Sequence, residues 1–306
     1  MDYELAIIGA GPAGYTAGIY ASRAGIQCVI FEKNQGGGLV NEAPVIENYT
    51  GFSSIPGIEL MEKMKQHAQQ WVKIRENEEV LKSEKITDGV RLTTSQGVYT
   101  TKALLMCTGT EHRQLKVPGE QDLRGRGLSY CATCDGFFFK NKKVLVVGGG
   151  NSALIEALYL HQIGCQVSLI HRRDVLRGEA ALEKDMRTKG ITIIINSVVE
   201  QIIGDTKVEK VQIHNVATNK KTYLPIDGVF ISIGDIPQSS LARLLDIELD
   251  DKGYIKVDHS QRTNIKGIYA AGDVTGGVKQ IITACAQGAV AALTSTEVLG
   301  KQYPYY

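Results

Sequence analysis

One pattern occurs twice in this chain of 306 residues, roughly 140 positions apart. In each copy a short apolar run enters a glycine turn, a helical stretch follows, a glycine stops it, and a second apolar run comes next. The first copy reads Leu5-Ala6-Ile7-Ile8, then Gly9-Ala10-Gly11-Pro12-Ala13-Gly14, a helix over about 13–24, Gly25, and a strand over 27–31. The second reads as a strand over 143–147, then Gly148-Gly149-Gly150-Asn151-Ser152-Ala153, a helix to about 163, Gly164, and a strand over 166–170. Unbroken apolar strands joined by helices predict parallel sheets buried on both faces. The expected fold is α/β, with two Rossmann-like dinucleotide-binding domains of three layers (ββα).

The turns carry chemistry as well as topology. In the first, Gly9 allows a tight turn, Gly11 lets backbone N–H groups approach a pyrophosphate at a helix N-terminus, and Gly14 permits close helix–strand packing. Glu32, at the end of the next strand, is suited to holding ribose hydroxyls. In the second, Gly148, Gly150 and Ala153 take the same places, followed by His171-Arg172-Arg173 and Arg177 where the first copy has its acid. A carboxylate there would repel a 2′-phosphate, whereas guanidinium groups bind one bidentately. The alternative, a solvated basic face, fits less well with a position directly after the second strand. The pair of ribose partners points to FAD in the first unit and NADPH in the second. Gly272-Asp273, at a predicted strand end, would hydrogen-bond a ribitol hydroxyl; the competing reading is an ordinary turn aspartate.

Between these units the signals are plainer. A loop over about 36–55 has little periodicity, a helix is expected over 57–72, and 78–102 reads as a small antiparallel element. Apolar runs at 103–107 and 228–234 read as the return strands of the two units. The last helix spans about 280–299, and the tail holds Tyr303, Tyr305 and Tyr306, read as a frayed terminus.

Cys131-Ala132-Thr133-Cys134-Asp135 lies between the two turns. Zinc ligation would need a second cysteine pair or a spaced histidine pair, and neither is present, so no metal is expected. The spacing suits a redox-active pair, because it lowers the first thiol's pKa and speeds exchange. Asp135 could shuttle a proton to a leaving thiolate, or be a turn residue only. Cys28, Cys107, Cys165 and Cys285 are isolated and read as buried thiols of a cytoplasmic chain. A net charge of +1 gives no reason to expect nucleic acid, and no apolar run of spanning length predicts a membrane segment. The acidic N-terminus does not read as a signal peptide.

Together these motifs, with Glu47-Asn48-Tyr49 and Ile268-Tyr269-Ala270-Ala271-Gly272-Asp273, resemble the low-molecular-weight thioredoxin reductases over nearly the whole chain. The resemblance implies a homodimer with one FAD per subunit. It implies a discontinuous FAD domain (1–114 and 242–306) with an NADPH domain (115–241) inserted. It implies that Cys134 faces the flavin, Cys131 exchanges with the disulfide of thioredoxin or a related redoxin, and Asp135 is the acid/base. FAD contacts are expected from Gly9, Gly11, Pro12, Ala13, Gly14, Glu32, Gly38, Leu39, Asn48, Thr108, Gly109, Gly272, Asp273, Lys279, Gln280 and Ile281. NADPH contacts are expected from Gly148, Gly150, Asn151, Ser152, Ala153, His171, Arg172, Arg173 and Arg177. Leu39 stands where the family often has glutamine, and Asp235 where it usually has histidine. Nicotinamide and cysteine pair both need the flavin, so the inserted domain is expected to rotate about 112–118 and 234–242. Other readings are a flavoprotein of this fold fed by ferredoxin or a deazaflavin, and a non-catalytic NADPH-sensing flavoprotein.

Overall fold

A computed structural model describes residues 1–302, so the tail tyrosines Tyr303, Tyr305 and Tyr306 lie outside the described residues. The chain divides into two compact units, one of Met1–Glu111 with the residues from Ile236 on, the other His112–Asp235. The strands at the two crossings, Thr110–His112 and Asp235–Pro237, pair with each other.

The first unit is built on a seven-stranded sheet whose parallel part runs in the order Lys73–Arg75, Cys28–Phe31, Tyr3–Ile8, Val98–Met106, Ile268–Ala270. Alternation along the first strand divides its side chains between two cores. Leu5 and Ile7 pack with Tyr15, Ala17 and Ala21 of helix Pro12–Arg23, while Ala6 and Ile8 pack with Val90, Leu92 and Leu104. The expected break between an antiparallel element and a strand at 103–107 is absent: Val98–Met106 is one strand. Its first half pairs antiparallel with Gly89–Thr94 and its second half parallel with Ile268–Ala270. Only the second half is continuously buried, so the apolar pattern marked half of the element. The helix expected over 57–72 ends earlier, as Gly57–Gln69.

The last helix, Ile281–Thr294, continues past Ser295 as Thr296–Leu299. By length and composition the stretch Ile281–Leu299 could cross a membrane. Ala284, Ala291 and Ala292 instead belong to the core that also holds helix Pro12–Arg23. Approach there is so close that a Cβ on Gly288 would lie 2.2 Å from the backbone oxygen of Ala13.

The second unit repeats the plan. Its parallel sheet runs Thr192–Ile194, Gln166–Ile170, Lys143–Gly148, Gly228–Ser232, Leu128–Ser129. Helix Asn151–Gln162 covers one face, with Leu154, Ala157 and Leu160 against Val144, Val146 and Phe230. An antiparallel layer covers the other, with Val199, Ile202 and Val211 against Leu145, Val147 and Val229. This is the three-layer ββα arrangement expected from the repeat. The two edge strands differ in origin. In the first unit the edge strand Ile268–Ala270 comes late in the chain and leads into Gly272-Asp273. In the second, Leu128–Ser129 comes before the repeat and leads into Cys131.

Gly288 lies in the interior of helix Ile281–Thr294. Alanine favours a helix interior over glycine by about 1 kcal/mol. The obstructing atom is backbone, and overpacking costs about 1–3 kcal/mol. Gly288→Ala is therefore expected to lower the urea midpoint of the first unit, and a raised midpoint would contradict this packing.

Candidate active site

Two turns with glycines at matching places lie at the C-terminal ends of the two central strands. Gly9 has φ 104°, and a Cβ on it would meet the Cys107 oxygen at 2.3 Å. A Cβ on Gly148 would meet the Ser232 oxygen at 2.4 Å. In both units the turn is thus pressed against the end of the return strand, where no side chain fits. Gly14 is closed off by the Gly9 oxygen, 1.9 Å from a would-be Cβ, while Ala153 is accommodated and fully buried. Gly11 and Gly150 have nothing within 4 Å of a would-be Cβ. Each is the N-cap of a helix and supplies no side-chain cap, so first-turn amides lack the usual side-chain acceptor. An open side and uncapped amides fit a bound pyrophosphate.

Around the first turn the expected residues converge. The carboxylate of Glu32 accepts from the Ala10 amide at 2.9 Å and the Asn34 amide at 3.0 Å, which fixes it at the strand end. The Gly37 amide donates to the Ala10 oxygen at 2.7 Å, drawing Gly38 and Leu39, in the turn Gly38–Glu42, back to the same place. Gly272, at φ 80°, lies against Ala13, with a would-be Cβ 3.0 Å from the Ala13 Cβ. Asp273 follows at the start of a short 3-10 turn. Asn48 Nδ2 donates to Gln280 Oε1 at 3.1 Å across 232 positions of sequence, and Gln280 caps the helix that begins at Ile281. Lys279 lies beside the Tyr254 ring. Thr108 and Gly109 are partly committed elsewhere: the Thr108 hydroxyl donates to Gln238 O at 2.6 Å, and Gly109 O accepts from the Gln238 amide.

In the second unit Arg172, Arg173 and Arg177 are exposed, and their guanidinium groups make no ion pair among the described residues. The amides of Arg177 and Gly178 donate to Gly149 O, and Asn151 and Glu179 bond reciprocally at 2.8 Å, which ties this basic loop to the glycine turn. Ser152 is exposed on the first turn of the helix. His171 is not exposed as the arginines are. It is buried, Nδ1 lies 3.1 Å from Gly148 O, and Gly149 has no Cβ because the imidazole fills that space. Burial, and then the nearby arginines, hold its pKa below the ordinary value. The positive charge of this loop therefore rests on the three arginines.

Cys131 and Cys134 form a disulfide, with Cα atoms 5.3 Å apart. Cys131 caps, and Cys134 lies within, a single helical turn, Ala132–Asp135, held by burial of Ala132 among Val144, Leu160 and Phe230. Cys131 Sγ accepts from the Cys134 amide at 3.2 Å, and the Thr133 hydroxyl lies 3.4 Å away. Donors of this kind stabilise a thiolate at Cys131 once the bond opens. Burial raises the Asp135 pKa, opposed by a hydrogen bond from Ser129. Ser129 carried no periodic or motif signal; its only mark was its place two residues before Cys131. Tyr130, the residue between, donates to buried Glu120 at 2.7 Å and stacks on His112, which pairs with Asp235 at 2.7 Å. Phe137 and Phe138 follow the pair as exposed aromatics. Among the described residues no cluster of acidic, histidine and cysteine side chains could hold a metal ion.

Cys28, Cys107, Cys165 and Cys285 are free and buried. Burial pushes the Cys28 thiol up to about 11 and raises Cys107 as well. Titration of the oxidised protein in denaturant should find these four thiols, rising to all six after reduction. A count of six before reduction would contradict the disulfide.

The family model described as pyridine nucleotide-disulphide oxidoreductase matches residues 3–288. A thioredoxin reductase of Treponema pallidum is 41% identical over 294 residues, covering 95% of each chain. One of Listeria monocytogenes is 40% identical over 295 residues, covering 94% of this chain and 91% of the other. The crystal structure of the thioredoxin reductase of Streptococcus pyogenes superposes with TM-score 0.93 at 40% identity, covering 97% of this chain and 98% of that one. The chain belongs to the pyridine nucleotide-disulphide oxidoreductase family, and within it to the low-molecular-weight thioredoxin reductase type.

Proposed function

We propose that the chain uses NADPH, through FAD, to reduce the disulfide of thioredoxin or a thioredoxin-like redoxin. The observation that carries this reading is the Cys131–Cys134 disulfide on a buried scaffold at the C-terminal edge of the second sheet. Ligands of open α/β sheets bind at that edge. Relatives named thioredoxin reductase, similar over nearly their full length, support the same assignment.

The first unit would hold FAD, with the pyrophosphate on the helix that begins at Pro12, Glu32 on the ribose, and Asn48 and Gln280 toward the ring. The second would hold NADPH, with the pyrophosphate at Gly150 and the 2′-phosphate on Arg172, Arg173 and Arg177. When bound, a flavin accepts a hydride from the nicotinamide and passes two electrons to a disulfide. The protein residues then act by thiol exchange. The Cys131 thiolate attacks a sulfur of the partner disulfide, forming a mixed disulfide and releasing one partner thiolate, which Asp135 protonates. The Cys134 thiolate next attacks the Cys131 sulfur, which restores the Cys131–Cys134 bond and expels the second partner sulfur as a thiolate that takes its proton from solvent. Exposed Phe137 and Phe138 beside the pair would give a protein substrate an apolar landing. The working unit would be a homodimer, and movement of the second unit would hinge where the chain crosses between units, at 111–112 and 235–236.

Anaerobic NADPH oxidation coupled to a redoxin disulfide tests the reading. Wild type should turn over with NADPH well above NADH, and Cys131→Ser should abolish transfer. Turnover by Cys131→Ser at the wild-type rate would reject it. Loss of one guanidinium removes charge-assisted hydrogen bonds worth about 1.5–3 kcal/mol. Arg173→Ala should therefore raise KM for NADPH by roughly 10- to 100-fold, with KM for NADH unchanged. Equal effects on both nucleotides would remove the 2′-phosphate assignment.

A further inference from the structure

We propose that Ser129 is a positioning residue for disulfide exchange, holding the Asp135 carboxyl in place and setting its acidity. This rests on the reading of Asp135 as the proton donor to the departing thiolate. Ser129 Oγ donates to Asp135 Oδ2 at 2.5 Å and accepts from the Cys131 amide at 3.0 Å. One hydroxyl thus joins the proton donor to the backbone of a redox cysteine. Its own position is fixed from two sides. Ser129 is the last residue of an edge strand, in register with fully buried Phe230, and is itself only 6% exposed.

The consequence is a closed loop that does not depend on the sulfur–sulfur bond. Ser129 bonds to Asp135 at the far end of the turn, the Asp135 amide donates to Cys131 O at 3.1 Å, and Ala132 is buried beneath. When the disulfide opens, these contacts remain, and both thiols stay close enough to close again. With Oδ2 accepting from Ser129, Oδ1 is left to carry the proton. A donor to a carboxylate favours its charged form, so the hydroxyl opposes the upward pull of burial. Helix Asn151–Gln162, packed against the turn, carries Glu156, Tyr159 and His161, and Lys140 follows the turn. The shift at Asp135 traces to burial and Ser129.

In the exchange with dithiothreitol, a reagent thiolate attacks the protein disulfide and forms a mixed disulfide. One cysteine leaves as a thiolate that takes the Asp135 proton. The reagent's second thiol then closes its ring and frees the other cysteine. The test uses the flavin-loaded protein with dithiothreitol as the probe, so no redoxin need be known. The Asp135 carboxyl is followed by infrared difference spectroscopy with labelled aspartate, assigned against Asp135→Asn, and the rate of disulfide reduction is measured across pH. In Ser129→Ala the carboxyl midpoint should rise by about one pH unit. The part of the rate profile lost in Asp135→Asn should move by the same amount. Ser129→Thr, which restores the hydroxyl, should return both to wild type. An unmoved midpoint in a folded Ser129→Ala overturns the assignment of Ser129, whatever Asp135 does. A moved midpoint with identical rate profiles for wild type and Asp135→Asn instead overturns the acid role, and the inference with it.

Discussion

The whole arrangement depends on a close approach of backbone to backbone. In each unit the glycine at the end of the central strand presses on the carbonyl at the end of the return strand, Gly9 on Cys107 and Gly148 on Ser232. A side chain at either position would push strand and turn apart. Because the turn is held tight, the following helix starts at a fixed point with its first-turn amides uncapped. Those amides face the open side of Gly11 or Gly150. The same contact therefore closes the fold and creates the place where an anion can bind.

Once the turns are fixed, the other groups gather along one edge of each sheet. Parallel strands bring all their C-terminal ends to the same side. Glu32, Gly272 and Asp273 arrive there in the first unit, and Arg172, Arg173 and Cys131 in the second, from strands far apart in sequence. The second unit takes its edge strand, Leu128–Ser129, from the segment ahead of its repeat. The residues that follow this strand can then carry the cysteine pair at the position that Gly272-Asp273 takes in the first unit. Duplication of a dinucleotide-binding plan with one substituted edge accounts for both the likeness and the difference of the two units.

Much of this was legible in the sequence because it depends on local chemistry. Glycines that need φ near 100° or tolerate no Cβ, a buried parallel strand, and a cysteine pair at fixed spacing all leave residue-level marks. The four isolated cysteines were read correctly as buried. What stayed hidden depends on distant partners. Val98–Met106 read as two elements because its two halves meet different neighbours. His171 adjoins the arginines in sequence, and its burial against Gly149 is a tertiary fact that no pattern encodes. Ser129 is one serine among many until the fold brings its hydroxyl to Asp135. The clasp of Tyr130 by Glu120 and His112 is hidden for the same reason.

The central claim is that the Cys131–Cys134 disulfide is a redox centre working beside a flavin, and not a structural cross-link. Anaerobic reductive titration of the flavin-loaded protein tests it most directly, because a disulfide couple carries two electrons, as does a flavin. Wild type is predicted to take up twice the electrons of Cys134→Ser before excess reductant accumulates. Equal uptake by the two proteins would contradict the account.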